Sequence, residues 1–362
     1  MGKIEMKTLM AVVGIQLIYA GYFVVTKLAF DVGMNTFVFV FYRQAAASLF
    51  LAPIAIFFQW KTAPRLSFSI FIQIFMLSLF GITMSLDVVG IGLKYTSASL
   101  GAAATNTLPV ITFFVAVLLR MEKVNIRSSA GMMKVGGVTL CLGGAATMAL
   151  YRGPYLKLLL HNHLINNTHL QHQQLPPSTN TWIKGVALIL VSNLTWAFWL
   201  VLQGGVLKRY PSKLVLTTLQ CFLSTIQSFV VALVFARDPA QWKLSWNITL
   251  LSVAYCGIVV TGVAFYLQSL VVEKKGPVFL SMTTPLIMLF TILISAFIFG
   301  EIISFGSVLG ALVLVGGLYF VLWGKTKEEE RPNITFQPNA DVEKASQLSN
   351  PDIALHPSNI KY

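Results

Sequence analysis

Charge is what this sequence has least of. Only 11% of its 362 residues are Asp, Glu, Lys or Arg, against about 25% in a soluble domain. With 56% hydrophobic residues and a mean hydropathy of +0.74, no soluble fold of this size could bury the apolar surface. Acidic residues are scarcer still, 13 against 26 Lys and Arg. The cations are scattered between apolar runs rather than gathered with aromatics on one face, which argues against a nucleic-acid partner and for membrane orientation. Cysteine is nearly missing. Cys141, Cys221 and Cys256 all fall inside apolar runs, so neither a disulfide framework nor a thiolate metal cluster is on offer. A phosphate-cradling loop, a metal-binding helix motif, a nucleophile elbow and a catalytic triad are absent as well. The sequence therefore supports neither an enzyme nor a resident cofactor or metal.

What is present is a series of apolar runs of membrane-spanning length. They fall at 8–30, 36–58, 70–93, 98–119 and 131–150, and again at 182–207, 214–236, 249–271, 279–299 and 305–323. Runs of ~20 residues are too long for barrel strands, and in lipid the backbone must satisfy its own hydrogen bonds, so they are expected to be helices. The first run extends to about Phe30, longer than the apolar part of a cleaved signal, and reads as a retained span. The fold class expected is an all-α membrane protein of ten transmembrane helices. The short N-terminal segment 1–7 and the segment 324–362, with its three glutamates followed by Pro, Asn and Ser, read as cytoplasmic, the latter as a disordered tail. Segment 151–181 reads as an outer loop rich in His, Asn and Gln.

Orientation follows from the cations. With the N-terminus in the cytoplasm, the inner segments as far as Arg331 hold 15 Lys and Arg and the outer ones 6, a positive-inside bias. The two halves also match. At an offset of 177, Gln16 pairs with Asn193, Tyr19 with Trp196, Tyr22 with Trp199 and Val24 with Val201; at 176, Gly81 pairs with Gly257 and Pro109 with Pro285. Five spans per copy is an odd number, so the copies, 8–150 and 182–323, must lie inverted in the bilayer. Inverted repeats are a transporter architecture with a binding site near the midplane.

Five stretches carry a family resemblance: Phe41-Tyr42-Arg43-Gln44, the run from Gly92 to Ala98, Asn106-Thr107-Leu108-Pro109, Glu122-Lys123-Val124, and Lys275-Gly276-Pro277-Val278-Phe279. In these the chain resembles the plant nodulin-21-like, or walls-are-thin-related, branch of the EamA drug/metabolite transporters. The likeness runs from about residue 8 to 324. It implies a ten-helix carrier of amino acids, auxin-like acids or related small metabolites, most simply in the plasma membrane.

Candidate site residues are the polar and aromatic groups inside spans, where an ionisable group costs ~2.5–3.5 kcal/mol. Arg43 and Asp87 lie at equal counted depth on adjacent spans, which suggests an ion pair or a shared polar cavity. Gln16, Tyr19, Asn193 and Trp196 lie on helical faces equivalent under the repeat, where amides and rings suit a small amphipathic solute. Asn106 precedes the Pro109 break. Gln220 stands at the repeat position of Arg43, and Gln268 and Thr284 add polarity to the second half. Lys27 and Lys134 can snorkel to an interface. Glycines on the fifth and tenth spans read as packing seams and as a candidate homodimer face. Asn166 and Asn247 begin glycosylation triplets on the outer side. His161, His163, His169 and His172 lack carboxylate or thiolate company and read as loop residues rather than metal ligands. The expectation is a secondary transporter of small organic solutes, most simply amino acids. An exporter of auxin or another aromatic metabolite is the near alternative. A non-transporting membrane scaffold is the distant one.

Overall fold

A computed structural model of the chain describes residues 6–59, 63–96, 98–121, 128–151, 155–156, 179–299 and 303–329. The His-rich part of the outer loop, Asn166, Glu122, Glu301 and the tail beyond 329 lie outside these residues. Helix dominates. The helices are α1 (Met6–Asp31), α2 (Thr36–Phe58), α3 (Phe68–Met76), α4 (Met84–Lys94), α5 (Ala98–Thr105), α6 (Leu108–Leu118), α7 (Ser129–Leu150), α8 (Thr179–Arg209), α9 (Lys213–Phe235), α10 (Ile248–Ala254), α11 (Phe265–Lys275), α12 (Pro277–Met282), α13 (Pro285–Phe299) and α14 (Phe305–Glu329). Two π-helical segments, Leu77–Thr83 and Tyr255–Ala264, join α3 to α4 and α10 to α11. Six helical stretches, Met6–Asp31, Thr36–Phe58, Phe68–Lys94, Ile183–Arg209, Lys213–Phe235 and Ile248–Lys275, are long and apolar enough to cross a membrane. The chain is a multi-pass membrane protein. Tyr155–Leu156 and Ile303–Ser304 form a two-residue antiparallel bridge.

Local chemistry sets the turns. Asn35 caps α2 by accepting from the Phe37 N–H at 2.9 Å, replacing an acceptor that the first turn lacks. Gly33, at φ +97°, ends α1 in the left-handed conformation, with Met34 N–H donating back to Ala29 C=O at 3.1 Å. Gly276, at φ +85°, does the same between α11 and α12, and Pro277 opens the next helix where its missing N–H costs nothing.

The end of the bundle where α1 begins is termed proximal, the other distal. Helices α2 and α9 cross antiparallel through the centre. Phe37 stacks on Phe235 at the distal end (centroids 4.7 Å apart), Ser48 and Thr225 share a hydrogen bond at 3.0 Å midway, and Ser212 donates to Gln59 at the proximal end at 3.0 Å. Helices α7 and α14 pack backbone to backbone. A Cβ on Gly137 would meet Gly317 C=O at 2.6 Å, and one on Gly317 would meet Gly137 C=O at 2.8 Å. Distally, α4 and α8 approach as tightly, for a Cβ on Gly92 would lie 3.0 Å from Gly185 C=O. Ser85 and Ser192 bond there at 2.9 Å.

Candidate functional site: a central cavity between the halves

Helices from both halves line a cavity with an empty volume of about 680 Å³, the part open to its surroundings included. α1 contributes Gln16, Tyr19, Tyr22 and Phe23; α2 contributes Arg43; α4 contributes Ser85, Leu86 and Val89; α8 contributes Ser192, Asn193, Trp196 and Leu200. Thr105 and Leu108 reach it from the α5–α6 break, Gln268 from α11, and Leu280, Ser281, Thr284 and Ile287 from the α12–α13 break. Among the described residues its one lining ion is Arg43, and no carboxylate faces it.

Arg43 is 1% exposed. Its Nε donates to Thr261 Oγ1 at 2.7 Å, and its guanidinium lies 4.9 Å from the centre of the Tyr22 ring, a cation–π contact that holds the charge in apolar surroundings. Among the described residues Nη2 has no hydrogen-bond partner, nor do Tyr19 Oη and Gln268 Oε1. A buried polar group without a partner costs about 1–3 kcal/mol. Three such groups on one cavity are the requirements of a polar ligand: a charged donor, a hydroxyl and an amide acceptor. Part of the apolar wall is aromatic: Trp196 lines the cavity, and its ring lies 4.6 Å from that of Trp199 and 5.5 Å from that of Phe265, which do not line it.

Gln16 and Asn193 line the cavity and also tie the halves together. Gln16 Nε2 donates to Thr283 Oγ1 at 2.6 Å. Asn193 Nδ2 donates to Thr107 Oγ1 at 3.1 Å and to Ala104 C=O at 2.9 Å. Thr107 and Thr283 are themselves related by the 176 offset, and each sits at a helix break just before Pro109 or Pro285. The amide of each half therefore holds the broken helix of the other.

Seven of the ten residues singled out from the sequence meet here: Gln16, Tyr19, Arg43, Asn193, Trp196, Gln268 and Thr284. Three do not. Asn106 is buried against α13, donating to Met288 Sδ at 3.0 Å. Gln220 is buried on α9 with both amide atoms unpartnered. Asp87 is buried with Oδ1 unpartnered, one residue away from the lining face of Leu86. The expected Arg43–Asp87 ion pair is not formed, and of the two only Arg43 lines the cavity. Lys27 is tied elsewhere, bridging to Asp31 at 2.9 Å. Asn247 is exposed and caps α10 through its Oδ1. Ser85, Ser192 and Tyr22 also line the site. The repeat offset placed Tyr22 opposite Trp199, but small hydroxyls inside apolar runs gave no signal of their own.

A helical membrane bundle with a largely apolar cavity between its halves, set with a few convergent polar groups, has the form of a solute carrier, and comparison with known proteins agrees. Residues 6–150 and 183–323 match the EamA-like transporter family. WAT1-related protein At5g64700 of Arabidopsis thaliana is 56% identical over 335 residues, covering 91% of this chain and 93% of its own length. WAT1-related protein At1g43650 of the same plant is 44% identical, with 90% and 93% covered. One crystal structure superposes with a TM-score of 0.62 at 12% identity, covering 89% of this chain and 99% of its own; that likeness speaks for the fold alone. The chain belongs to the EamA-like transporter family, in its plant WAT1-related branch. It is a membrane solute transporter rather than an enzyme.

Proposed function

We propose that the central cavity binds a small organic solute carrying a carboxylate, most simply an amino acid, and passes it across the membrane by alternating access. The observation that carries this is Arg43: a buried guanidinium with a free Nη2 on a cavity without a described acid. The solute carboxylate docks there. Tyr19 Oη and Gln268 Oε1 accept from its ammonium, and its side chain lies against Trp196. An auxin-like or other aromatic acid is the second reading, favoured by the Trp196–Trp199–Phe265 cluster.

Ten spanning helices in two inverted five-helix repeats, 8–150 and 182–323, are part of the proposal. Support comes from residues that the repeat makes equivalent and that touch each other: Ser48 with Thr225, offset 177, and Gly137 with Gly317, offset 180. Equivalent residues meet only on a symmetry axis. The proximal end is cytoplasmic on the cation count, so both termini face the cytoplasm, in the plasma membrane. A homodimer is the proposed assembly, through Gly136 and Gly316, which open outward with nothing within 4 Å; Gly137 and Gly317 are already engaged within the chain.

The test is flux into liposomes holding the purified protein, with labelled amino acids and indole acids at two pH gradients. Arg43→Gln should fold and raise the half-saturating concentration of carboxylate solutes at least about tenfold, the scale of one hydrogen bond to a charged group. Normal flux of every solute through that variant would sink the site. No flux of any solute through the parent would favour the scaffold reading.

A further inference from the structure

A second cavity opens in the proximal half, between α8 on one side and α3 with its π segment on the other. Its empty volume is about 1370 Å³, about twice that of the central cavity. Ile72, Met76 and Phe80 form one wall, Phe198, Leu202 and Val206 the other. The two cavities are separate. Trp199 closes the second at its deep end, its ring seated where a Cβ on Gly81 would lie at 2.5 Å, while its neighbour Trp196, tilted 33° to it, faces the solute site. The shape is a wedge, because α4 and α8 meet distally at Gly92 and Gly185 whereas α3 and α8 stand apart proximally. Gly205 keeps the wedge open: a Cβ there would meet nothing within 4 Å.

Charge is confined to the mouth, and the one polar group at the deep end, the Thr195 hydroxyl, is taken up by Ser192 C=O at 2.9 Å. Gln73 and Arg209 line it. Arg65, Lys208 and Arg209 are exposed at that end of the bundle, and none makes an ion pair among the described residues. From Thr195 to Arg209 the α8 wall spans roughly 21 Å at 1.5 Å per residue, against about 15 Å of hydrocarbon in one leaflet. The wedge thus reaches from headgroup level to the midplane.

We propose that this wedge holds one phospholipid of the proximal leaflet. An acyl chain lies along α8 between the two apolar walls, and an anionic headgroup sits at Arg209, with Arg65 and Lys208 adding to the positive potential. Charge complementarity selects the occupant. An apolar slot that is blind at the midplane and basic at its mouth matches a molecule with a long apolar chain and a negative head. Such clusters next to a membrane attract anionic lipid by an amount worth about fivefold in affinity per cation.

The test is native mass spectrometry of the full-length protein released from detergent, titrated with phosphatidylglycerol or phosphatidylcholine. One phosphatidylglycerol should remain bound, several-fold more tightly than phosphatidylcholine. Arg209→Gln, an exposed change, should weaken phosphatidylglycerol about fivefold and leave phosphatidylcholine unchanged. Gly205→Phe projects a ring into open space and should abolish the first bound lipid, with the unfolding midpoint retained. Equal binding of both lipids would overturn the proposal, as would undiminished phosphatidylglycerol occupancy in either variant. None of these readouts depends on the transported solute.

Discussion

Arg43 and Asp87 show what counting residues along a helix can and cannot do. Counted from the ends of their own spans they lie equally deep, which is why they suggested a pair. The helices do not end at one level. Gly90 of α4 packs directly on Thr36 at the start of α2, so α4 runs about a turn further distally. Measured from that shared level, Asp87 is three residues down, roughly 4–5 Å, and Arg43 seven, roughly 10 Å. Thr261 and the Tyr22 ring take up the guanidinium instead. Asp87→Asn therefore leaves no cation stranded, and its unfolding midpoint in detergent should correspond to a change of less than about 1 kcal/mol. Removing one partner of a buried pair costs ~3–5 kcal/mol, and a loss on that scale would mean that the two side chains do pair in the bilayer. Proton coupling through Asp87 has its own readout: the variant would keep solute exchange and lose pH-driven accumulation.

At the scale of elements, the helix breaks were legible and the π segments were not. Pro109 and Pro285 mark them, because proline removes an N–H and disfavours the α conformation in the residue before it, although α2 carries Pro53 without a break. The segments Leu77–Thr83 and Tyr255–Ala264 carry no comparable mark. Each inserts an extra residue per turn, and what stabilises it is tertiary: Gln227 of α9 donates to Phe75 C=O at 3.2 Å and accepts from Thr83 at 3.1 Å, bracketing the first segment. No local pattern reports a partner 144 residues away. The amide ties lie between these cases. The offset paired Gln16 with Asn193 on sequence alone, but that each reaches the opposite half's broken helix required the packing. Asn193→Leu removes the donor to Thr107 and Ala104, and Gln16→Leu the donor to Thr283. Each should lower stability by about 1–3 kcal/mol, read as the midpoint of thermal unfolding in detergent. Two unchanged midpoints would show that the breaks hold themselves.

For the whole molecule, the decisive feature is that equivalent residues touch. Helix α2 and helix α9 are the same element of the two proposed repeats, and they cross at Ser48 and Thr225, joined at 3.0 Å. A rocking motion that exchanges the two repeat conformations moves everything around its axis more than the axis itself. A cross-link at that point should therefore fix the halves together without stopping transport. The experiment replaces Ser48 and Thr225 by cysteine in a chain cleared of Cys141, Cys221 and Cys256, with a protease site placed within 151–181. In sealed right-side-out vesicles the protease should cut that loop from outside. After oxidation the two fragments should migrate as one band without reductant and as two with it, and flux should persist at a large fraction of the uncross-linked rate. Resistance of the loop in right-side-out vesicles, with cutting in inverted ones, would reverse the orientation drawn from the 15-to-6 cation count. Efficient cross-linking with flux abolished would place the pivot elsewhere, because a bond on the axis constrains only what does not move. The α4–α8 contact at Gly92 and Gly185 supplies the contrast. It brings α4 and α8 together distally; on the proposed alternating-access mechanism these helices part to release solute on that side, so a covalent link there should stop transport altogether while the link on the axis does not.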